Sequence, residues 1–304
     1  MAGRVHERRR GAMVLLMVVV CCSGFASAAS AAFPGENGML AFVREGEKRG
    51  IYTIDNFALI PLTSGRDYSP QWSADGSRIV FQRFRGGHSE IFVMDADGSN
   101  LLQLTRRTGF TPAWSPDGTQ IVFGSSRDGD EDIFVMNADG SGETKLTRNT
   151  FDDVSPAWSP DGTQIAFTSR HRANTDIYLM NPDGSDETRF TWNKGRDQTP
   201  DWSPNGGSLV FQSNRRDSNW DIYTMRAGGE GLTRLTRSTA LEWAPAWSPD
   251  GTKIAFTLAR YSQDVEDIVI IDLESSERVR ITIPRTYELS PTWQPVSIDT
   301  AVWG

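Results

Sequence analysis

Pro112-Ala113-Trp114-Ser115-Pro116-Asp117-Gly118, with Phe123 nine residues beyond the Trp, is the stretch that decides how this chain is read. The phrase returns around Trp72, Trp158, Trp202 and Trp247, and its opening returns once more as Pro291-Thr292-Trp293. The six Trp are spaced 42, 44, 44, 45 and 46 residues apart, and each has a Pro two positions earlier. After the Trp stand Ser73-Ala74-Asp75-Gly76, Ser159-Pro160-Asp161-Gly162, Ser203-Pro204-Asn205-Gly206 and Ser248-Pro249-Asp250-Gly251, and then Phe81, Phe167, Phe211 and Phe256. A fixed period of this length marks a repeat architecture, in which each unit buries its apolar face only against its neighbours.

Each unit reads as four short strands. The first carries Pro-x-Trp. In the turn that follows, Pro presets φ at the first corner, Asp accepts from backbone amides and Gly takes positive φ. The second strand alternates, as in Gln120-Ile121-Val122-Phe123, and the third reads Asp132-Ile133-Phe134-Val135-Met136, repeated as Asp176-Ile177-Tyr178-Leu179-Met180 and Asp221-Ile222-Tyr223-Thr224-Met225. A second Gly turn, Ala138-Asp139-Gly140-Ser141, leads to a fourth strand ending in Leu146-Thr147. Four antiparallel strands per repeat predict an all-β chain, a β-propeller.

The ends set the number of blades. Residues 70–290 hold five whole units. Before them, Met39-Leu40-Ala41-Phe42, Ile51-Tyr52-Thr53-Ile54 and Pro61-Leu62-Thr63 match a second, third and fourth strand with no first. At the other end, Ser290-Pro291-Thr292-Trp293 is a first strand with nothing after it. The two fragments complete one blade, so a six-bladed ring is expected, closed by docking strand 289–294 beside strand 39–44, with no open sheet edge.

Residues 1–32 read as a secretory signal peptide: Arg4, Arg8, Arg9 and Arg10, then an apolar run of 11 residues from Ala12 to Cys22, then small residues through Ala32. That run falls short of the ~18 residues expected of a spanning helix. The remainder, 33–304, is expected to be one propeller, exported to the periplasm or secreted, with no transmembrane segment. Removing the leader takes both Cys, so packing rather than disulfides must hold the fold. It also takes the net charge from -8 to -11, which argues against a nucleic-acid partner.

The repeat (Pro-x-Trp-Ser-Pro-Asp-Gly, x-Ile-x-Phe, Asp-Ile-Tyr-x-Met, Asp-Gly and Leu-Thr) resembles that of the TolB propeller family over essentially residues 33–304. The resemblance implies a six-bladed propeller that binds a protein, as TolB of the Tol–Pal envelope system binds a peptidoglycan-associated lipoprotein. The chain departs from TolB in having no α/β domain between leader and propeller, which puts a full Tol–Pal role in doubt. Similar repeats also occur in prolyl-oligopeptidase-like enzymes, but no hydrolase domain follows this one.

Three residues before the repeat Pro stand Asp67, Gly109, Asp153, Asp197, Glu242 and Glu288, five carboxylates in six units. First strands line the channel of a propeller, so these are expected at one channel mouth, either bonded to loop amides and a nearby Arg or gathered around a cation such as calcium, or a basic peptide. The loops of that face vary between units and carry Tyr68, Phe110, Phe151, Trp243 and Tyr287 as candidate partner-binding residues, beside Trp192 and several Arg. The alternative is that these aromatics plug gaps between blades. Catalytic sequence signals are absent: His88 and His171 stand alone in loops, with no nucleophile elbow or phosphate loop. No resident cofactor is expected. The expected function is a non-catalytic, monomeric scaffold for a protein or peptide, such as an envelope lipoprotein. The alternatives are a propeller hydrolase or lyase using channel-mouth carboxylates with a metal, and a glycan-binding module.

Overall fold

The computed structural model describes residues 35–55, 58–171, 174–216, 218–260, 265–281 and 287–296. The expected leader lies outside them. The described residues form six four-stranded antiparallel blades and no helix. We number the blades by their first strands: Asp67–Trp72, Phe110–Trp114, Asp152–Trp158, Asp197–Trp202, Leu241–Trp247 and Tyr287–Val296 open blades 1 to 6.

Blade 6 is the shared one. Its first strand, Tyr287–Val296, runs antiparallel to Glu36–Glu45, with Leu40 opposite Trp293 and Arg44 opposite Glu288. Gly50–Asp55 and Ala58–Pro61 complete it. The ring therefore closes as the sequence predicts.

Each turn after the repeat Trp is a small hydrogen-bonded unit. Ser115 Oγ donates to Asp117 Oδ1 at 2.6 Å and accepts from the Gln120 amide, while the Thr119 amide donates to Asp117. The Ser115 and Thr119 bonds hold the Asp117 carboxyl below its ordinary range. The second Gly turn serves blade packing. A Cβ on Gly140, whose φ is +87°, would stand 2.8 Å from the Leu104 carbonyl of the preceding blade, and one on Gly184 2.6 Å from that of Leu146.

Between blades the repeat residues meet. Trp114 and Phe123 of blade 2 pack on Val80, Ile91 and Val93 of blade 1. The same arrangement closes the ring, where Trp293, Leu40 and Phe42 pack on Ala246, Ala255 and Ile268 of blade 5. The Leu-Thr of each fourth strand also has a task. Thr105, Thr147, Thr191 and Thr236 accept, through Oγ1, the amides of Ile91, Ile133, Ile177 and Ile222 on their third strands. In four blades the third-strand acid beside the Ile is buried and faces a fourth-strand cation: Lys145 on Asp132 at 2.5 Å, and Arg189, Arg234 and Arg280 on Asp176, Asp221 and Asp267 at 2.7 Å.

One feature of the first strands is not visible in the repeat as a pattern of polarity. Ser69, Thr111, Ser155, Thr199, Ala244 and Ser290, each just before the repeat Pro, have φ between +45° and +53°. There the strand carries a bulge: Tyr68 pairs with Gln82 but Gln71 with Val80, so two residues oppose one. Such backbone is costly for non-Gly residues and persists only where its surroundings hold it. A side chain of the preceding blade does so at four bulges. Gln82, Thr168, Gln212 and Thr257 accept the amides of Thr111, Thr199, Ala244 and Ser290 at 2.7 to 3.1 Å.

Candidate functional site

The bulged segments of all six first strands line the central channel, a cavity of about 130 Å³. Its walls are small or uncharged residues, such as Ser155, Ala157, Ala246 and Thr292, with one carboxylate among the described residues, Asp201. Asp201 is buried, and its Oδ2 accepts the Trp247 amide at 2.8 Å. Burial pushes its carboxyl up to about 7, against the opposing hydrogen bonds from the Trp247 and Trp202 amides.

The acids expected at the channel mouth lie elsewhere. Asp67, Asp153, Asp197 and Glu242 are fully buried, and none of them is among the residues that line the channel. The reason is the bulge, which shifts the alternation of the strand, so that Asp67, opposite Arg83, shares a sheet face with the buried Trp72, opposite Ile79. Asp67 takes a two-pronged bond from Arg83, at 2.6 and 2.8 Å. Glu242 is in a dry setting that raises its carboxyl. Glu288 sits opposite Arg44 in the strand pairing of blade 6.

Blades 3 and 4 build the same cradle with one exchange. In blade 4, Asp197 accepts from Asn193, Ser213 and Arg215. In blade 3, Asp153 accepts from Asn149, and Ser169 stands opposite it in the strand pair. The position matching Arg215, four residues after the repeat Phe, holds His171. The His171 ring lies 3.8 Å from that of Phe151 and 5.1 Å from that of Tyr178. Among the described residues no cation offsets the burial of Asp153, and its carboxyl is pushed up to about 6. Among the described residues, no three His, Cys, Asp or Glu side chains come together in a way that could hold a metal ion.

Four of the candidate aromatics, Tyr68, Phe110, Phe151 and Trp243, are half-buried rather than open. The Tyr68 hydroxyl donates to Glu45 at 2.5 Å, Phe110 lies against Gly124, and Phe151 stacks on His171. Trp243 is likewise half-buried, and Tyr287 pairs through its backbone with Glu45. Among the described residues the most open aromatic is Trp192, 73% exposed, with the Arg189 guanidinium 4.3 Å from its ring. Sequence reasoning placed it in the variable loops but had no signal to rank it first, because no other unit has a Trp at that position.

The loops between second and third strands and those between fourth and first strands share one face. On it, Arg guanidiniums cap the aromatic pairs of several blades: Arg83 over Phe81 and Phe92, Arg127 over Phe123 and Phe134, and Arg215 over Phe211 and Tyr223. The opposite face carries the nearly invariant Gly turns.

The fold is that of known propellers. The structure is similar to TolB from Acinetobacter baumannii, with a TM-score of 0.76 at 20% identity over 85% of this chain and 67% of that one. It is also similar to a putative TolB from Agrobacterium tumefaciens, with a TM-score of 0.68 at 22% identity over 85% of this chain and 92% of that one. An oligogalacturonate lyase from Vibrio parahaemolyticus shares the architecture more distantly, with a TM-score of 0.53 at 12% identity over 84% of this chain and 74% of that one. The model of the TolB beta propeller domain matches residues 68–238 and 193–297, which together span most of the repeats. The chain belongs to the TolB β-propeller domain family.

Proposed function

We propose that this protein is an exported envelope scaffold that holds a protein or peptide partner on its variable-loop face. The observation that carries the reading is the contrast between the two faces. One repeats the same hydrogen-bonded Gly turns from blade to blade. The other varies from blade to blade and concentrates aromatics and Arg, the residues that dominate protein interfaces. Membership of the TolB propeller family and the signal-peptide pattern of residues 1–32 support an envelope location, and an envelope lipoprotein is the partner this reading favours.

Site-specific photo-crosslinking in intact cells tests it. A crosslinker replacing Trp192 or Arg196 should trap a discrete partner that one replacing Asp117 or Asp161 on the opposite face does not. Equal trapping from both faces, or none from either, overturns the reading. A trapped species that is polysaccharide rather than protein would move it to glycan binding.

A further inference from the structure

The outer flank of blade 4 holds a feature that a partner-binding face alone does not require. A pocket of about 500 Å³ opens there, lined by Arg215, Arg216, Arg234 and Arg237 together with Tyr223 and Asn193. Four guanidinium groups meet in a chain whose net charge is -8. Two of them are neutralised, Arg215 by Asp197 at 2.9 Å and Arg234 by Asp221 at 2.7 Å. Arg216 and Arg237 are exposed and enter no ion pair among the described residues. Among the described residues the pocket thus keeps two positive charges outside any ion pair.

A second observation points to a ligand. Tyr223 is only 2% exposed, and its hydroxyl has no hydrogen-bond partner. A buried phenol without a partner is costly, and in native proteins such groups mark a strained or functional position. Here the hydroxyl stands in the field of Arg234, Arg215 and Arg216, opposed by the Asp221 carboxylate. Arg215 gives its Nε to Ser213 and its Nη2 to Asp197, which fixes the plane of its fork. A fixed fork, two mobile guanidiniums and a phenol donor are the groups that recognise an oxyanion through several charge-assisted bonds.

We propose that this pocket binds a doubly charged oxyanion group, a phosphate monoester or a dicarboxylate. The proposal is independent of the scaffold reading, since a small molecule could carry the group as well as a partner could. Two charges on the ligand match the two guanidiniums outside ion pairs, and the Tyr223 hydroxyl supplies the donor that the pocket otherwise wastes.

The test is calorimetric titration of the purified protein at low ionic strength with inorganic phosphate and, separately, with malonate. One of the two should bind at a single site, phosphate alone identifying a phosphate group and malonate alone a dicarboxylate. Arg216→Ser and Arg237→Ser should each weaken it about tenfold, and Tyr223→Phe should weaken it several-fold without lowering the melting temperature. Arg148→Ser, at the repeat position equivalent to Arg237 but on another blade, should leave binding unchanged. No binding of either anion overturns the proposal. So does an equal loss in Arg148→Ser, which would show attraction to diffuse charge rather than to a pocket.

Discussion

Asp201 Oδ2 accepts the backbone amide of Trp247 across 46 residues of sequence, binding the first strand of one blade to that of the next. The carboxyl is raised to about 7 by burial, above its unfolded value near 4. The native state therefore holds a proton that the unfolded state has released, and stability falls as pH climbs from about 4 to about 7. Asp201→Asn keeps an acceptor for Trp247 and removes the titration. It should match the parent protein near pH 4 and exceed it by about 1–3 kcal/mol at pH 8. Urea unfolding at both pH values checks this, and a gain of equal size at both would contradict it.

His171 occupies the position at which Arg215 serves Asp197. His171→Arg should give Asp153 a cation equivalent to the one that Arg215 gives Asp197. In the parent, the raised Asp153 carboxyl costs stability as pH rises from about 4 through about 6. The variant's advantage should grow over that window and level off above it, reaching about 1–2 kcal/mol. Melting temperatures measured across pH 4 to 8 test the shape of the difference. A pH-independent change would mean that the new side chain acts through packing against Phe151 and Tyr178.

Arg83, itself partly exposed, compensates the fully buried Asp67, and truncating it leaves that carboxylate without a partner. Arg83→Met should cost about 3–5 kcal/mol, and adding Asp67→Asn should restore part of the loss because the uncompensated charge is gone. Chemical denaturation of the two variants reads this out. If the double variant is no more stable than the single one, Arg83 contributes mainly by covering Phe81 and Phe92.

Trp293 fills the seam between blades 5 and 6 from the last strand of the ring. Trp293→Ala should cost about 3–5 kcal/mol. Deleting residues 287–304 should abolish cooperative unfolding, because the edges of both neighbouring blades lose their cover. Differential scanning calorimetry distinguishes a lost transition from a merely lowered one, and a lowered one would show that five blades and a fragment suffice.

The architecture was legible in the sequence because the residues that make it recur at one phase. Trp114 has a counterpart in all six blades, and Gly118 and the Phe nine residues beyond the Trp recur in five units, so the copies announce the blade, its turns and the closure between the two ends. The direction of the carboxylates was not legible. Asp67 and Asp197 stand at a fixed distance from the repeat Pro, but whether they face channel or blade depends on the bulge at Ser69 and Thr199. A bulge adds one residue and reverses the side-chain alternation, while leaving the composition of the strand unremarkable. The basic pocket was hidden for a different reason. Arg237 follows the repeat Leu-Thr just as Arg106 and Arg148 do, so nothing in its position sets it apart, and three-dimensional proximity alone brings it and Arg216 to Tyr223.

The shared blade also sets a schedule. The strand Glu36–Glu45 is synthesised early, yet Met39 finds the Gln294 side chain only 255 residues later. Until the last strand is made, the ring has no closing partner, and the entropy of joining its ends must be met before that seam gives anything back. An interrupted chain thus remains open, and a finished one locks in its final step. For a chain that must pass a membrane unfolded, as the exported reading holds, such an order keeps the ring from closing before the whole chain has been made.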